Sequence, residues 1–236
     1  MSKLTFIQHS SFLFESESAY LLFDYVQGAV PALTADKPLY IFASHGHHDH
    51  FSEAALSVYE QATRTWILAD DIELSDEQRN GRRIYTVSER SQYRIDDIDI
   101  MTFHSTDQGV AFLIRLDGRS LFYAGDLNWW HWEGEPEARN EQMKRDYLAE
   151  LDRIDKETGG RCDLAFLVLD PRQQSAMGWG LKAFVERIDC KTIIPMHLWR
   201  RFAEGKQWCQ RPEVLSQSWG RHLLQIEGDG QEWINL

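Results

Sequence analysis

The chain has 236 residues and a formal net charge of −12, and this acidic balance disfavours sequence-independent binding to the phosphates of nucleic acid. With 43% hydrophobic residues it can bury one large core, and its three cysteines form no CxxC pair, which excludes a cysteine zinc site of that type. No apolar run approaches the roughly 20 residues that cross a bilayer. We therefore expect a cytoplasmic protein, one domain over residues 1–236, with no membrane partner.

The first half of the chain alternates short apolar runs with turns, which predicts strands. The first runs are LTFIQ, SFLFE, LLFDY and PLYIFAS, and the last leads into a histidine cluster. A helix is predicted after Ser52, a residue suited to cap it. The next runs are TWILA, RRIYTV, DIDIMTF, VAFLIRL and SLFYAG. Asp117 and Gly118 are a two-residue hairpin signal between the last two.

The second half mixes helix and strand signals. Met143, Tyr147, Leu151 and Ile154 recur at helical spacing and predict an amphipathic helix over 140–155. LAFLVLD and TIIPMH predict buried strands, and MGWGLKAFVERI a helix between them. The tail predicts a final hairpin. The two blocks of strands with interspersed helices indicate an α/β (α+β) fold.

The stretch ASHGHHDHF concentrates four histidines and an aspartate in six positions. His45 and His47 follow a strand, where alternate side chains point the same way, so both imidazoles can reach one ion. Asp49 and His50 follow where the chain must turn and can face a second point nearby. His48 has the wrong parity to join either pair. The alternative is a solvated loop that happens to be rich in histidine.

Three further apolar runs end in a residue that can bind a metal. These residues are His104 after IMTF, Asp126 after LFYAG and His197 after TIIPM. Each places a polar group at the end of a strand, where open α/β sheets bind ligands. Together with the cluster they give seven candidate ligands, enough for two ions. Asp126 is the best bridging candidate, because one carboxylate can hold two cations.

The ordered pattern H-x-H-x-D-H, then His104, Asp126 and His197, resembles the metallo-β-lactamase fold superfamily. The resemblance runs from HSSFLFE, near the start, to PMH. It implies a four-layer αββα sandwich of two mixed sheets flanked by helices, with the metals at one edge between the sheets. HSSFLFE and the short length are similar to the lactonase-related branch, which includes ascorbate-6-phosphate lactonase and uncharacterised bacterial hydrolases.

The resemblance also implies a division of the ligands between two divalent ions. The first ion would be held by His45, His47 and His104, and the second by Asp49, His50 and His197, with Asp126 between them. A hydroxide shared by the ions would be the nucleophile, and Asp49 would also be a catalytic proton acceptor. Histidine and carboxylate ligands without thiolate suit zinc, which we favour, and also manganese or iron.

Five other residues are predicted around the metals. Asp24 is expected to accept a hydrogen bond from a ligand imidazole, although a surface turn would also explain it. His9 lies close to the metal edge by the resemblance or, alternatively, is a core histidine. His131 is a candidate catalytic proton donor and Trp129 part of an aromatic wall, unless the LNWWHW tryptophans pack under a helix. Arg172 would hold a substrate anion or pair with Asp170.

These patterns favour a metal-dependent hydrolase of a small-molecule ester, lactone, amide or phosphodiester. A phosphodiesterase or nuclease acting on nucleotides or short nucleic acid is an alternative, although the acidity makes nucleic acid a poor partner. A metal-binding protein without turnover is a second alternative. The sequence leaves the oligomeric state open.

Overall fold

Two mixed β-sheets form the centre of the molecule. The computed structural model describes residues 2–34 and 36–236. In the first sheet the strand order is β13-β1-β2-β3-β4-β5-β6. These strands are β1 (Lys3–Gln8), β2 (Ser11–Glu15), β3 (Tyr20–Phe23), β4 (Leu39–Ala43), β5 (Arg64–Ala69), β6 (Arg83–Val87) and β13 (Glu232–Ile234). The pairs from β3 to β6 are parallel, and the remaining pairs are antiparallel.

The second sheet has the strand order β12-β11-β10-β9-β8-β7. Its strands are β7 (Gln92–Ile95), β8 (Ile98–His104), β9 (Val110–Leu116), β10 (Arg119–Tyr123), β11 (Arg161–Val168) and β12 (Asp189–Met196). The pairs β10-β11 and β11-β12 are parallel. Asp117 and Gly118, both with positive φ, join β9 to β10 as the predicted hairpin turn.

The helices are α1 (Ala54–Ser57), α2 (Asp76–Arg79), α3 (Glu137–Thr158), α4 (Trp179–Val185), α5 (Phe202–Cys209) and α6 (Pro212–Leu215). Short 3₁₀ helices span Pro171–Ala176 and Gly220–His222. The predicted amphipathic helix is confirmed as α3, which buries Tyr147, Leu151 and Ile154. Among the described residues no helix is long and apolar enough to cross a bilayer.

Strand alternation explains why both faces of the first sheet are apolar. Phe12 and Phe14 of β2 belong to the core between the sheets, whereas Leu13 belongs to a second core on the outer face. The outer core also contains Leu56 of α1. On the far side of the second sheet, α3 and α4 contribute to the large core, for instance through Leu151. The expected four-layer αββα sandwich is confirmed.

The predicted C-terminal hairpin is wrong. The last strand, β13, pairs with β1 at the start of the chain, with Leu4 opposite Trp233. The first sheet gains an additional antiparallel strand from this pairing, which a local sequence pattern does not reveal. The predicted cap of α1 also differs, because the Ser52 hydroxyl donates to the Val26 carbonyl instead of capping the helix.

Three strands end where the predicted ligands begin. β4 ends at Ala43, just before the histidine cluster, and β12 ends at Met196, just before His197. β10 ends at Tyr123, three residues before Asp126. β4 has a parallel neighbour in the first sheet, and β10 and β12 are both parallel to β11 in the second. Carboxyl ends of parallel strands meet at the same edge of a sheet, where ligands bind.

Candidate metal centre

The histidine cluster forms a tight turn at the end of β4. The backbone N–H groups of His50 and Phe51 both donate to the His47 carbonyl, at 2.9 Å each. This turn buries His45 and His50 and leaves the His48 side chain 92% exposed. The predicted exclusion of His48 from the site agrees with this placement.

Metal-capable side chains converge into two groups, in each of which the donor atoms lie within 4.8 Å of one another. The His9 group consists of His9, Asp49, His50 and His197. The His47 group consists of His45, His47, Asp107 and Asp126. The His9 group is buried or half-buried, whereas the His47 group is partly open to solvent through the exposed Asp107.

The carboxylate of Asp126 lies between the two groups. Its Oδ1 is 3.1 Å from His50 Nε2 and 3.3 Å from His197 Nε2, both in the His9 group. Its Oδ2 is 3.7 Å from His45 Nε2 in the His47 group. One carboxylate oxygen therefore faces each group, which is the arrangement that a bridging ligand requires.

Three buried histidines make contacts through Nδ1 that direct Nε2 of each ring toward the donor groups, where Nε2 of His45 lies 3.0 Å from Nδ1 of His47. Nδ1 of His50 donates to Asp24 at 2.6 Å, and Nδ1 of His197 donates to Asp170 at 2.9 Å. Nδ1 of His45 lies 2.9 Å from the Ser44 hydroxyl, which itself donates to Asp24. A neutral ring that donates through Nδ1 presents a lone pair at Nε2, the form that binds metals.

Several buried polar atoms of the site have no hydrogen-bond partner among the described residues. They are the Nε2 atoms of His9, His50 and His197 and Oδ1 of Asp126. Buried acceptors that face one another at such short distances need a proton or a metal cation between them, and imidazole and carboxylate donors are ligands of divalent metals. The residues present therefore fit divalent metal ions.

Burial and neighbouring carboxylates set the protonation of these groups. Burial lowers the pKa of His9 and of His45 to about 4, so both rings are neutral at pH 7. Burial also lowers the pKa of His50, but the carboxylates of Asp126 and Asp24 more than offset it and raise that pKa. Without metal a proton on His50 satisfies Asp126, and metal binding at this point would release that proton.

Asp24 is the buried anchor beneath the site. Besides the His50 ring, its carboxylate accepts hydrogen bonds from the Ser44 backbone N–H, the Ser44 hydroxyl and the Tyr123 hydroxyl, each at 2.7 Å. Four donors to one buried carboxylate fix the position and tautomer of His50. The structure thus places Asp24 where the sequence predicted it.

Asp170 has the same role for His197 and also holds Arg172. Its carboxylate accepts from His197 Nδ1 and from Nε and Nη2 of Arg172. The guanidinium carbon also lies 4.3 Å from the Trp199 ring centroid and 5.6 Å from that of Trp132. The ion pair with Asp170 is therefore present, and it fixes Arg172 beside the metal groups.

A cavity of about 140 Å³ opens beside Asp107 and Asp126. Its walls include Trp130, Trp132 and Met143 on the apolar side and Arg172 on the polar side. The rings of Trp130 and Trp132 are stacked with centroids 5.7 Å apart. This cavity gives a small molecule access to the Asp126 carboxylate.

Residues 3–133 match the model of the β-lactamase superfamily domain. The chain belongs to this superfamily. The predicted relationship to the metallo-β-lactamase fold is thereby confirmed, and the match includes most of the residues of both donor groups.

The chain is similar to two metal-dependent hydrolases in sequence and to a metallo hydrolase in fold. A UPF0173 metal-dependent hydrolase of Desulforamulus reducens is 28% identical over 140 residues, covering 52% of this chain and 61% of that relative. A UPF0173 metal-dependent hydrolase of Korarchaeum cryptofilum is 24% identical over 96% of this chain and 95% of its own. Igni18, a metallo hydrolase from Ignicoccus hospitalis, superposes with a TM-score of 0.70 at 16% identity and covers 98% of this chain and 97% of its own. The first match spans less than two thirds of that relative's length.

The structure corrects the prediction for His104. The backbone N–H of His104 donates to Glu150 Oε1 at 2.9 Å, and its ring pairs with the Glu89 carboxylate. Its side chain is 44% exposed and belongs to neither donor group. His104 is still the last residue of β8, and the chain reaches the metal groups only in the loop that follows.

Asp107 occupies the place predicted for His104. The Thr106 hydroxyl, next to it, donates to the Asn128 carbonyl and accepts from the Asn128 N–H, which fixes the loop. Asp107 Oδ2 lies 3.7 Å from His47 Nδ1. Asp107 was not predicted from the sequence, because the superfamily pattern favours a histidine here and His104 is the only histidine nearby.

The structure also corrects the predictions for His131 and Trp129. Trp130 and Trp132 line the cavity beside Asp126, whereas Trp129 and His131 lie away from it. The His131 ring packs 4.7 Å from that of Trp179, and Trp129 packs against the same ring. Both line a different cavity, which contains no residue of either donor group.

Gly109 makes the close contact between the Asp107 loop and the histidine cluster. Its φ is +69°, and a Cβ there would lie 2.0 Å from the Ser44 carbonyl oxygen and 2.5 Å from His45 Cβ. We expect Gly109→Ala to lower the free energy of unfolding by about 2–4 kcal/mol, from backbone strain and overpacking. Urea-induced unfolding in chelator measures this loss.

Gly118→Ala is the matched control. Gly118 has nearly the same φ, +72°, but a Cβ added there would have no atom within 4 Å. Strain alone should then cost about 1–2 kcal/mol. Equal losses for the two substitutions would show that the contact of Gly109 with the cluster is unimportant.

Proposed function

We propose that the chain is a hydrolase that uses two divalent metal ions, one in each donor group, to cleave a small ester, lactone, amide or phosphodiester. Family membership, the descriptions of the relatives and the two groups of donor residues support a metal-dependent hydrolase. The observation that carries the binuclear proposal is the Asp126 carboxylate, whose two oxygens face different groups.

Two bound ions about 3.5–4 Å apart would supply a water molecule of lowered pKa and would polarise the scissile carbonyl or phosphoryl oxygen. The protein holds the geometry. Asp24 and Asp170 orient His50 and His197, and Ser44 orients His45. Because the rings are already held in place, the site needs little free energy to reorganise during the reaction.

Asp49 is the residue best placed to accept a proton from attacking water. Its carboxylate is half-buried, 3.4 Å from His9 Nε2 and 3.9 Å from His197 Nε2 at the nearer oxygen. Burial raises its pKa, but the nearby His9 ring and the charge of His50 outweigh this, so its pKa is well below the usual range. The ionised carboxylate can bind a metal and transiently take a proton at its second oxygen.

The cavity beside Asp126 limits the substrate. A volume of about 140 Å³ lies below the roughly 300 Å³ at which pockets for drug-sized ligands begin. The aromatic wall of Trp130 and Trp132 can cover an apolar part of the substrate, and Arg172 lies at the opposite side. We therefore propose a small-molecule substrate and no macromolecular one.

The proposal is tested with metal-stripped protein that is reloaded with zinc, manganese or iron(II). Generic lactones, p-nitrophenyl esters and bis-p-nitrophenyl phosphate are offered as substrates. We expect hydrolysis of at least one class that disappears with chelator and is complete at two ions per chain. The class that reacts identifies the bond that is cleaved.

Two results would contradict this proposal. A rate that survives complete metal removal would exclude metal-dependent hydrolysis. Two tightly bound ions without turnover of any of these classes would favour metal binding as the function. His131→Ala is the control, since His131 faces away from the cavity and its loss should leave the rate unchanged.

A further inference from the structure

The two donor groups differ in the chemistry of their atoms. The His9 group offers three imidazoles and one carboxylate, and Oδ1 of Asp126 is close to two of those imidazoles. The His47 group offers two imidazoles and two carboxylates. A nitrogen-rich position and an oxygen-rich position thus share one bridging aspartate.

His9 gives the first position its third imidazole. It lies in the turn between β1 and β2, and its ring centroid is 4.3 Å from that of His197 and 5.6 Å from that of His50. Its carbonyl accepts from the His197 backbone N–H. Nε2 of His9 is buried without a hydrogen-bond partner among the described residues and lies 3.4 Å from Asp49 Oδ2. It is oriented as a metal ligand.

His9 is also held in a demanding backbone conformation. Its φ is +49°, a value that residues other than glycine seldom adopt. The ring of Trp199 packs against its ring, with centroids 4.5 Å apart, and supports it there. The fold thus holds the His9 ring against the ligand histidines in spite of the backbone cost.

Asp107 makes the second position oxygen-rich. It supplies a carboxylate where the superfamily pattern predicts an imidazole, and His104, the nearest imidazole in the sequence, is paired with Glu89 instead. Asp107 and His47 are also the most exposed donors, with side chains 47% and 43% exposed. An ion bound there is more open to exchange with solvent.

We infer that the two metal positions prefer different ions: the His9 group binds zinc tightly, and the His47 group takes a harder ion, Mn²⁺ or Fe²⁺, more weakly. Imidazole donors suit zinc, whereas carboxylate donors suit manganese, and nitrogen-rich sites discriminate more strongly in favour of zinc. The inference rests on the proposed binuclear site. It also assigns His9 as a metal ligand, although His9 is not among the seven ligands predicted from the sequence.

The experiment loads metal-stripped protein with one equivalent of Zn²⁺ and excess Mn²⁺. The protein is dialysed, and bound metals are measured by elemental analysis and by the electron paramagnetic resonance of bound Mn²⁺. We expect about one zinc and one manganese per chain. Two zinc ions of equal affinity in a separate zinc titration, or a random mixture of metals, would overturn the inference.

Substitutions assign each metal to its group. In Asp107→His the second position gains an imidazole, so with two equivalents of Zn²⁺ and excess Mn²⁺ bound manganese should fall at least about tenfold relative to the unaltered protein as zinc replaces it. In His9→Asn, which tolerates positive φ, zinc affinity should fall at least about tenfold while the manganese position remains. Asp107→Asn, an exposed change, provides a second variant that should weaken manganese binding.

His104→Gln and His48→Gln are the matched controls, because neither side chain belongs to a donor group. Both should keep the metal content of the unaltered protein. An unchanged manganese-to-zinc ratio in Asp107→His, or unchanged zinc affinity in a folded His9→Asn, would contradict the assignment. Binding of less than one ion of any kind to the unaltered protein would instead overturn the binuclear proposal itself.

Discussion

Asp126→Asn is expected to reduce metal binding to at most one ion per chain and to lower hydrolysis by more than about 100-fold. Loss of residues that only support ligands typically costs 10–100-fold, and a bridging ligand should cost more. The amide keeps the size of the side chain but offers only one good acceptor atom, so it cannot face both groups with an oxygen. Elemental analysis and the rate on the best substrate measure both effects.

Folding of this variant must be checked separately, because Asp126 is buried and lies close to His50 and His197. Circular dichroism and thermal unfolding in chelator would show whether the chain remains folded. If folded Asp126→Asn protein still binds two ions and turns over at the original rate, Asp126 is not the bridge.

Asp24→Asn should be the most destabilising substitution near the site. Four donors converge on the Asp24 carboxylate, and an amide nitrogen would face some of them as a second donor. We expect a loss of about 3–5 kcal/mol in the free energy of unfolding, the typical cost of breaking a buried charged pair. Metal affinity should also fall about 10–100-fold, because His50 loses the group that orients it.

Tyr123→Phe is the graded control for Asp24. It removes one of the four donors and leaves the carboxylate and the His50 contact in place. The expected loss is about 1 kcal/mol, with metal affinity little changed. Urea-induced unfolding of the two variants, with and without metal, separates these effects. A loss in Asp24→Asn no larger than in Tyr123→Phe would show that Asp24 is not the anchor.

Local patterns were sufficient to predict most of the strands and helices, whereas the four-layer arrangement was predicted from the resemblance to the metallo-β-lactamase superfamily. Apolar runs marked the strands, the spacing of Tyr147, Leu151 and Ile154 marked α3, and Asp117-Gly118 marked a hairpin. The pairing of β13 with β1 escaped prediction, because it joins the two ends of the chain and depends on the assembled sheet. Pairing at such sequence separation is a tertiary property.

Members of the two donor groups could be predicted from the sequence where they directly follow a strand or alternate along it. His45, His47, Asp126 and His197 all come at or just after strand ends, and the structure brings them together. Asp107 lies in a loop whose path depends on the close contact of Gly109 with the cluster. No periodicity of the sequence encodes that contact.

The tryptophan segment shows a similar limit. Sequence clustering indicated an aromatic wall, but Trp130 and Trp132 line the cavity, whereas Trp129 and His131 pack against Trp179. The backbone after Asp126 is irregular, and the Trp130 N–H donates to the Asn128 carbonyl, so no regular alternation predicts which side chains face the cavity. The sequence alone contained both possibilities.

The central claim is that two metal ions are bridged by Asp126. Anomalous diffraction from crystals of the metal-loaded protein, measured on either side of the absorption edges of zinc and manganese, tests it most directly. We expect two peaks about 3.5–4 Å apart, each adjoining one oxygen of Asp126. One peak should lie beside His9, His50 and His197, and the other beside His45, His47 and Asp107. A single peak, or a second peak away from Asp126, would contradict it.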